Sequence, residues 1–369
     1  MSDIDVFDLQ PDEEGLVIAT SDYEYDFNAK LFLWYYGRPR KFYQGANIDY
    51  LVSHNSSLVG NQTVKKPNHF VDYEIRDILR DKTLALDYYK HLFSHDNKLF
   101  GTQASDKRIE VDNETFYYTY KPIQIGTING DFNEILSRHW YVTCMLVENN
   151  NQFILGERKF PLYRFEPLDP RCIRVHNSEE DVLMDLFQEV PYCVLSHDND
   201  VLVGVDFGIY NVSKKKTAHC FHTAHNYMNR LVELHKYKLI REDRELFDAV
   251  KTFFKHKKIT FRRNTNNRID QDLRFNLEEH FAVHHMVSYR GNIVFATPHE
   301  LYILGQREPV HRFRRRINGL AVVDKDVLKH VKRKTSVRQP KKPYIPLIIP
   351  PSEPPIREEP ERIPVYAAP

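Results

Sequence analysis

Apolar runs and polar pairs alternate along this chain in one recurring order. Leu51-Val52-Ser53-His54-Asn55-Ser56-Ser57-Leu58-Val59-Gly60, Leu92-Phe93-Ser94-His95-Asp96-Asn97-Lys98-Leu99-Phe100-Gly101 and Val194-Leu195-Ser196-His197-Asp198-Asn199-Asp200-Val201-Leu202-Val203-Gly204 are its clearest copies. In each, an apolar strand ends at Ser-His, a polar pair turns the chain, and a second apolar strand runs to a glycine. Two short apolar runs around an Asp/Asn/Ser pair predict a β-hairpin. A third strand carrying an aromatic follows, as in Leu31-Phe32-Leu33-Trp34, Gly208-Ile209-Tyr210-Asn211-Val212 and Glu300-Leu301-Tyr302-Ile303-Leu304. Weaker copies stand at residues 14–19, 147–156, 234–241 and 287–296, with a third strand expected at 245–248 for the copy at 234–241.

Setting Ala19, Gly60, Gly101, Gly156, Gly204, Arg241 and Ala296 as equivalent gives steps of 41, 41, 55, 48, 37 and 55 residues. That spacing fits the four-stranded blade of a β-propeller, about 40–50 residues with loop insertions. A β-sandwich also has short, evenly spaced strands, but has no reason to repeat Ser-His-Asp-Asn at blade intervals. The small residue closing the second strand fits a place where neighbouring sheets approach closely. The expectation is an all-β propeller of seven four-stranded blades over residues 1–330. An eighth is left open by residues 317–328, which align without gaps on 228–239; alternatively, they complete the ring with residues 4–9. Residues 73–82 and 179–187 carry apolar positions near helical spacing and predict short helices or loops on one rim, either packed connections or binding elements.

Here the residues resemble the WD40-like β-propeller superfamily. The polar turn before Leu-Val-Gly and the step into Leu/Ile-Tyr carry the likeness, and His219-Cys220-Phe221-His222 with Met228-Asn229-Arg230-Leu231 is similar to the Gly-His approach to an inner strand. No Trp-Asp or Gly-His dipeptide occurs in the chain. The resemblance implies a fold and no particular activity, because propellers carry many unrelated functions.

Composition narrows the function without naming it. A net charge of +1 gives no overall field, and the acidic start Met1-Ser2-Asp3-Ile4-Asp5 lacks the basic-then-apolar layout of a signal peptide. Cys144, Cys172, Cys193 and Cys220 show no CxxC spacing, which suits reduced thiols in an intracellular, cytoplasmic protein, nuclear if the source is eukaryotic. No Gly-rich phosphate loop, Gly-x-Ser-x-Gly elbow or His-Glu-x-x-His element is present, so no catalytic residue and no cofactor are expected. His219, Cys220, His222 and His225 offer zinc-ligand chemistry, but on an outer strand alternate side chains face opposite ways, and no metal is expected there. His54, His95 and His197 share one repeat position and read as residues of the inner hairpin rather than as catalytic groups.

Two stretches are strongly basic. Lys255, Lys257, Lys258, Arg262 and Arg263 lie in one; Arg307, Arg312, Arg314, Arg315, Arg316, Lys332, Arg333 and Lys334 stand in the other, which extends to Lys342. Such patches favour phosphate backbones through counterion release, act as nuclear targeting signals, or are simply solvated. Residues 331–369 turn from basic to Pro-rich and predict a disordered, extended tail able to dock on a partner. The expected function is a non-enzymatic scaffold that binds other proteins through its rims and tail. RNA or ribonucleoprotein binding through 255–263 and 307–342 is the alternative, and a hydrolase or lyase with a channel site the third; no membrane contact is expected.

Overall fold

The computed structural model describes residues 14–21, 29–35, 38–45, 48–65, 71–86, 91–104, 123–129, 131–138, 141–147, 152–158, 173–177, 182–186, 189–236, 243–263 and 269–328, with Glu179 and Tyr89. These form six four-stranded antiparallel sheets. Blade 1 holds β1 (Gly15–Ser21), β2 (Ala29–Tyr35) and β3 (Arg38–Gly45); blade 2 holds β4 (Ile48–His54), β5 (Ser57–Lys65), β6 (Val71–Asp77) and β7 (Lys82–Ala85). Blade 3 is β8 (Leu92–His95), β9 (Lys98–Ala104), β10 (Ile123–Asn129) and β11 (Asp131–Arg138), and blade 4 is β12 (Tyr141–Val147), β13 (Phe153–Arg158), β14 (Ile173–Asn177) and β15 (Val182–Asp185). Blade 5 is β16 (Cys193–His197), β17 (Asp200–Val205), β18 (Gly208–Asn211) and β19 (Lys216–Cys220). Three helices follow, α1 (His222–Lys236), α2 (Asp243–Lys257) and α3 (Ile269–Phe281), before blade 6, made of β20 (His285–Tyr289), β21 (Asn292–Ala296), β22 (Glu300–Ile303) and β23 (His311–Arg312). The last strand, β24 (Arg316–Val323), returns to blade 1 as its innermost strand and pairs with β1.

The inner strands β24, β4, β8, β12, β16 and β20 touch one another in that cyclic order, so the sheets close into a propeller. Six apolar clusters fill the gaps between adjacent blades. Val17 and Leu31 meet Ile48 and Leu58 between blades 1 and 2; Leu202 and Ile209 meet Met286 and Phe295 between blades 5 and 6; Ile18 meets Val294 and Leu301 between blades 1 and 6. Because each sheet buries both faces against neighbours, its strands need continuous apolar character rather than strict alternation, as all-buried β1 shows.

The inner hairpins turn where the repeated polar pairs predict. Asn55 and Ser56, Asp96 and Asn97, and Asp198 and Asn199 all have positive φ, the geometry that lets a two-residue turn match the twist of its strands. Glycine ends the second strand for a steric reason: a Cβ on Gly204 would stand 2.6 Å from both the Cys193 sulfur and the Val283 carbonyl oxygen.

Blade count corrects the sequence reading from seven to six. Of the copy expected at 234–241, residues 234–236 belong to α1 and the rest lie outside the described residues; the third strand expected at 245–248 lies inside α2. Leu231, Leu234, Leu246, Phe247, Val250 and Phe254 pack in one helical core, and short apolar runs cannot by themselves be told from strands. The ungapped alignment of 317–328 on 228–239 therefore sets β24 against α1 over 317–323. Instead of starting an eighth blade, 317–323 closes the ring, and its partner is β1; residues 4–9 lie outside the described residues. Of the short helices or loops expected at 73–82 and 179–187, the first is the β6–β7 turn with the strands that flank it, and the described part of the second holds β15, so no helix stands at either among the described residues. At the former, the Asp77 carboxylate accepts from Leu79 and Arg80 backbone N–H groups and tightens a turn in which Ile78 and Leu79 are buried, giving apolar spacing without a helix. The tail, 331–369, also lies outside the described residues.

Candidate macromolecule-binding face

The helical insertion leaves blade 5 at Cys220 and returns to blade 6 through Val283, whose N–H donates to Val205 O at 2.9 Å. Its core is its own: Phe254, Leu273 and Leu277 are fully buried among Phe253, Phe261 and Phe281, with Phe207 of blade 5 beneath them. Ring stacking between Phe253 and Phe281, at 5.7 Å, and edge contacts of Phe254 with Phe261 fix the helix ends.

This packing brings the two basic stretches together. Arg312 Nη1 donates to Lys257 O at 3.0 Å, and Lys257 Nζ lies 3.9 Å from Glu308 Oε1. The end of α2 is locked by paired backbone bonds, Lys258 N to Lys255 O and Ile259 N to Phe254 O, with Lys258 in the left-handed region at φ 57°. Glycine is favoured there, and a lysine keeps a cation at the turn at a cost of about 1–2 kcal/mol. Lys255, His256 and Lys257 in the last turn also complement the helix dipole. Further on, buried Asn276 of α3 clamps the backbone of Arg262: Arg262 N donates to Oδ1 and Nδ2 donates to Arg262 O, both at 2.7 Å. Lys255, Lys258, Arg262, Arg263, Arg312 and Arg314 are exposed, Lys257 and Arg315 half-buried, and Arg263 lies over the Phe247 ring.

One predicted contact is placed differently. Arg316 turns inward, with Nη1 2.9 Å from Glu279 Oε2, because β24 is an innermost strand. Its charge acts on the histidines behind the face. His280 is held at about 3, first by burial, then by His299 and Arg262; burial and Arg316 lower His284 well below its ordinary value and His285 to about 4. Lys332, Arg333 and Lys334 lie outside the described residues.

Between the insertion and blade 5 runs a buried acidic seam that no sequence signal marks. Glu189 Oε1 lies 3.1 Å from His225 Nδ1 of α1, and its other oxygen has no hydrogen-bond partner among the described residues. Asp206, in the β17–β18 turn, accepts from Val190 N at 2.9 Å and from the Tyr192 hydroxyl at 2.6 Å. Burial, then the neighbouring Asp206 charge, pushes Glu189 up to about 8; burial, then Glu278 of α3, pushes Asp206 up to about 7. Arg274, paired with Glu278 at 2.6 Å, partly offsets that rise. Burial lowers His225, helped by His222, so the seam holds its proton on the carboxyl and leaves the imidazole neutral.

Other candidate groups separate. His219 packs against Phe221 and Phe295 while His225 faces Glu189, and among the described residues no group of three or more His, Cys, Asp or Glu is arranged to hold a metal ion. His54 and His197 reach the next blade, where their Nδ1 atoms meet Ser94 Oγ and Ser288 Oγ; His95 Nε2 lies 3.4 Å from Asp96. On the ring axis a cavity of about 330 Å³ is lined by all six inner strands, including Tyr50, His91, Tyr192 and His284, and by no Asp, Glu, Lys or Arg.

No family model matches this sequence, and no curated protein matches it. Solved structures of similar arrangement include a Bacteroides caccae protein of unknown function, 9% identical over 84% of this chain and 99% of that one, with a TM-score of 0.43. The Neurospora crassa Pan2 WD40 domain is 8% identical over 80% of this chain and 77% of its own, at 0.35. The Pyrococcus horikoshii acylaminoacyl peptidase is 8% identical over 78% of this chain and 42% of its own, at 0.39. At these identities the likeness concerns fold alone.

Proposed function

We propose that this chain is a non-enzymatic propeller scaffold that holds other proteins in a macromolecular complex, with the helical insertion as its recognition element. The observation that carries this reading is that the inner strands of blades 5 and 6 touch directly although three helices stand between them in sequence. An insertion that buries most of its apolar residues among its own helices is a place where function collects. The neutral channel lining supports a binding role over catalysis, since the strongly raised carboxylates sit in the seam and not in the cavity. The free thiols of Cys144, Cys193 and Cys220, with burial the leading cause raising each, suit the reducing intracellular setting we assign to the chain.

Photo-crosslinking tests this reading. A crosslinker placed at exposed Arg244 or Asp248 of α2, in the full chain within its source cells, should recover one set of proteins reproducibly. The same crosslinker at Lys82, on the outer strand of blade 2, should not recover that set. Equal recovery at both positions, or none at either, overturns the assignment of the insertion.

A further inference from the structure

We propose that the cationic face shared by α2, the segment after it and the β22–β24 region binds the phosphodiester backbone of nucleic acid without reading its bases. Two sequence-distant stretches are joined there by the Arg312 to Lys257 bond, and the backbone of each is tied down: Lys258 by its capped turn and Arg262 by the Asn276 clamp in the first, Val310 N to Leu301 O and Phe313 N to His299 O in the second. Cations presented on fixed backbone lose little freedom when phosphates arrive.

The character of the face selects the partner. Interfaces with proteins centre on desolvated aromatic or aliphatic anchors. The exposed large apolar residues among those described are Leu86, Ile135, Val182 and Phe275; the first three lie on blades 2, 3 and 4, and Phe275 on α3, so none belongs to the 255–263 or 307–316 segments. Phosphates need only positive charge. The aromatics nearest the face, Phe247, Phe254 and Phe261, are engaged with one another and leave no platform on which bases could stack. Three acids beside these cations each face one: Glu300 faces Arg312, Glu308 faces Lys257 and Glu279 faces Arg316, while Asp243, Glu245 and Asp248 stand in the opposite half of α2 from Lys255.

The inference is independent of the protein-scaffold reading and is tested apart from it. The full chain is titrated with a fluorescent oligouridylate, an oligocytidylate of equal length and a DNA duplex at several salt concentrations. Binding that weakens with salt and is equal for the two single strands is expected. Replacing Lys255, Lys258, Arg262 and Arg314 by Ser should flatten the salt slope by about 0.7 per lost contact on single strands and about 0.9 on duplex. Lys258→Gly removes the charge while relieving the left-handed turn, so it should lower the slope without lowering the melting temperature, an outcome that loss of folding cannot mimic. Absence of binding at low salt, an unchanged slope in the fourfold variant, or preference for one base sequence overturns the proposal. So does equal binding of polyglutamate, which would make the face an acidic-protein site.

Discussion

His197 Nδ1 lies 3.0 Å from Ser288 Oγ, joining the end of the blade 5 inner strand to the blade 6 inner strand. The same bond recurs between His54 and Ser94, across blades 2 and 3, at 2.9 Å. At His54 the other ring nitrogen lies 3.1 Å from Asn55 Nδ2, which can only donate, so Nδ1 carries the proton and donates to the serine. At His54 and His197 the histidine thus serves two hairpins at once: Nε2 stays beside its own turn, at Asn55 and Asp198, while Nδ1 reaches forward to the serine of the next inner strand. Ser288→Ala should cost about 0.5–1.5 kcal/mol in urea unfolding. In a double-mutant cycle with His197→Ala the two losses should fail to add; full additivity would show that the bond contributes nothing.

Gly204→Leu should destabilise by at least about 1–3 kcal/mol, since the new side chain meets the Val283 carbonyl, which belongs to backbone and cannot swing aside. Val283 N is meanwhile tied to Val205 O. An unchanged thermal melt would contradict the close approach.

The seam predicts a pH dependence with a definite sign. Glu189 and Asp206 have folded values near 8 and 7, raised from 4.5 and 3.8, so the folded state holds protons that the unfolded chain gives up. Their stabilisation is complete below the unfolded values and is lost as pH rises through about 7 and then 8. His225 acts oppositely: lowered from 6.5, its contribution is full above that value and is lost as pH falls through its folded one. Hydrogen exchange in α1 should therefore quicken as pH rises toward about 8, beyond the intrinsic base-catalysed trend, and follow that trend alone above it. Glu189→Gln should remove much of that excess, and identical profiles for the two proteins would disprove the linkage.

Phe254→Ala should cost about 3–5 kcal/mol within the helical core, because this ring is fully buried among apolar neighbours. With the ring of blades closed independently, the melt should split into an early helical loss and a later sheet transition. One undivided transition at lower temperature would mean that helices and blades unfold as a unit.

The repeat made the blades readable because Ser-His, a polar pair and a small residue impose geometry that few alternatives satisfy. Ala19, Gly60, Gly101, Gly156, Gly204 and Ala296 all lie on second strands, as their spacing implied. Arg241 lies outside the described residues, and the copy around it has only the apolar content of the unit: Leu234 and Leu239 without the turn pair. Leu246, Phe247, Val250 and Phe254, three or four apart, carry a helical period that competes with the blade spacing. The basic stretches were legible as charge, but their meeting through Arg312 and Lys257 depends on the chain path across blades. Glu189, Asp206 and His225 carry no motif, since what perturbs them is burial between elements that only folding brings together.

The pairing of β24 with β1 has a consequence for how the chain is made. Val17, Ile18 and Ala19 are among the earliest described residues, and their partners Ala321, Leu320 and Gly319 are translated last among the blade strands. Until then a nascent chain carries one largely apolar strand with an open flank, an invitation to pair with the wrong molecule. A ribosome that stalls before Arg316 would release five finished blades and a sticky sixth. Such fragments should be found with chaperones or in aggregates, while the completed chain, once clasped, leaves that flank covered.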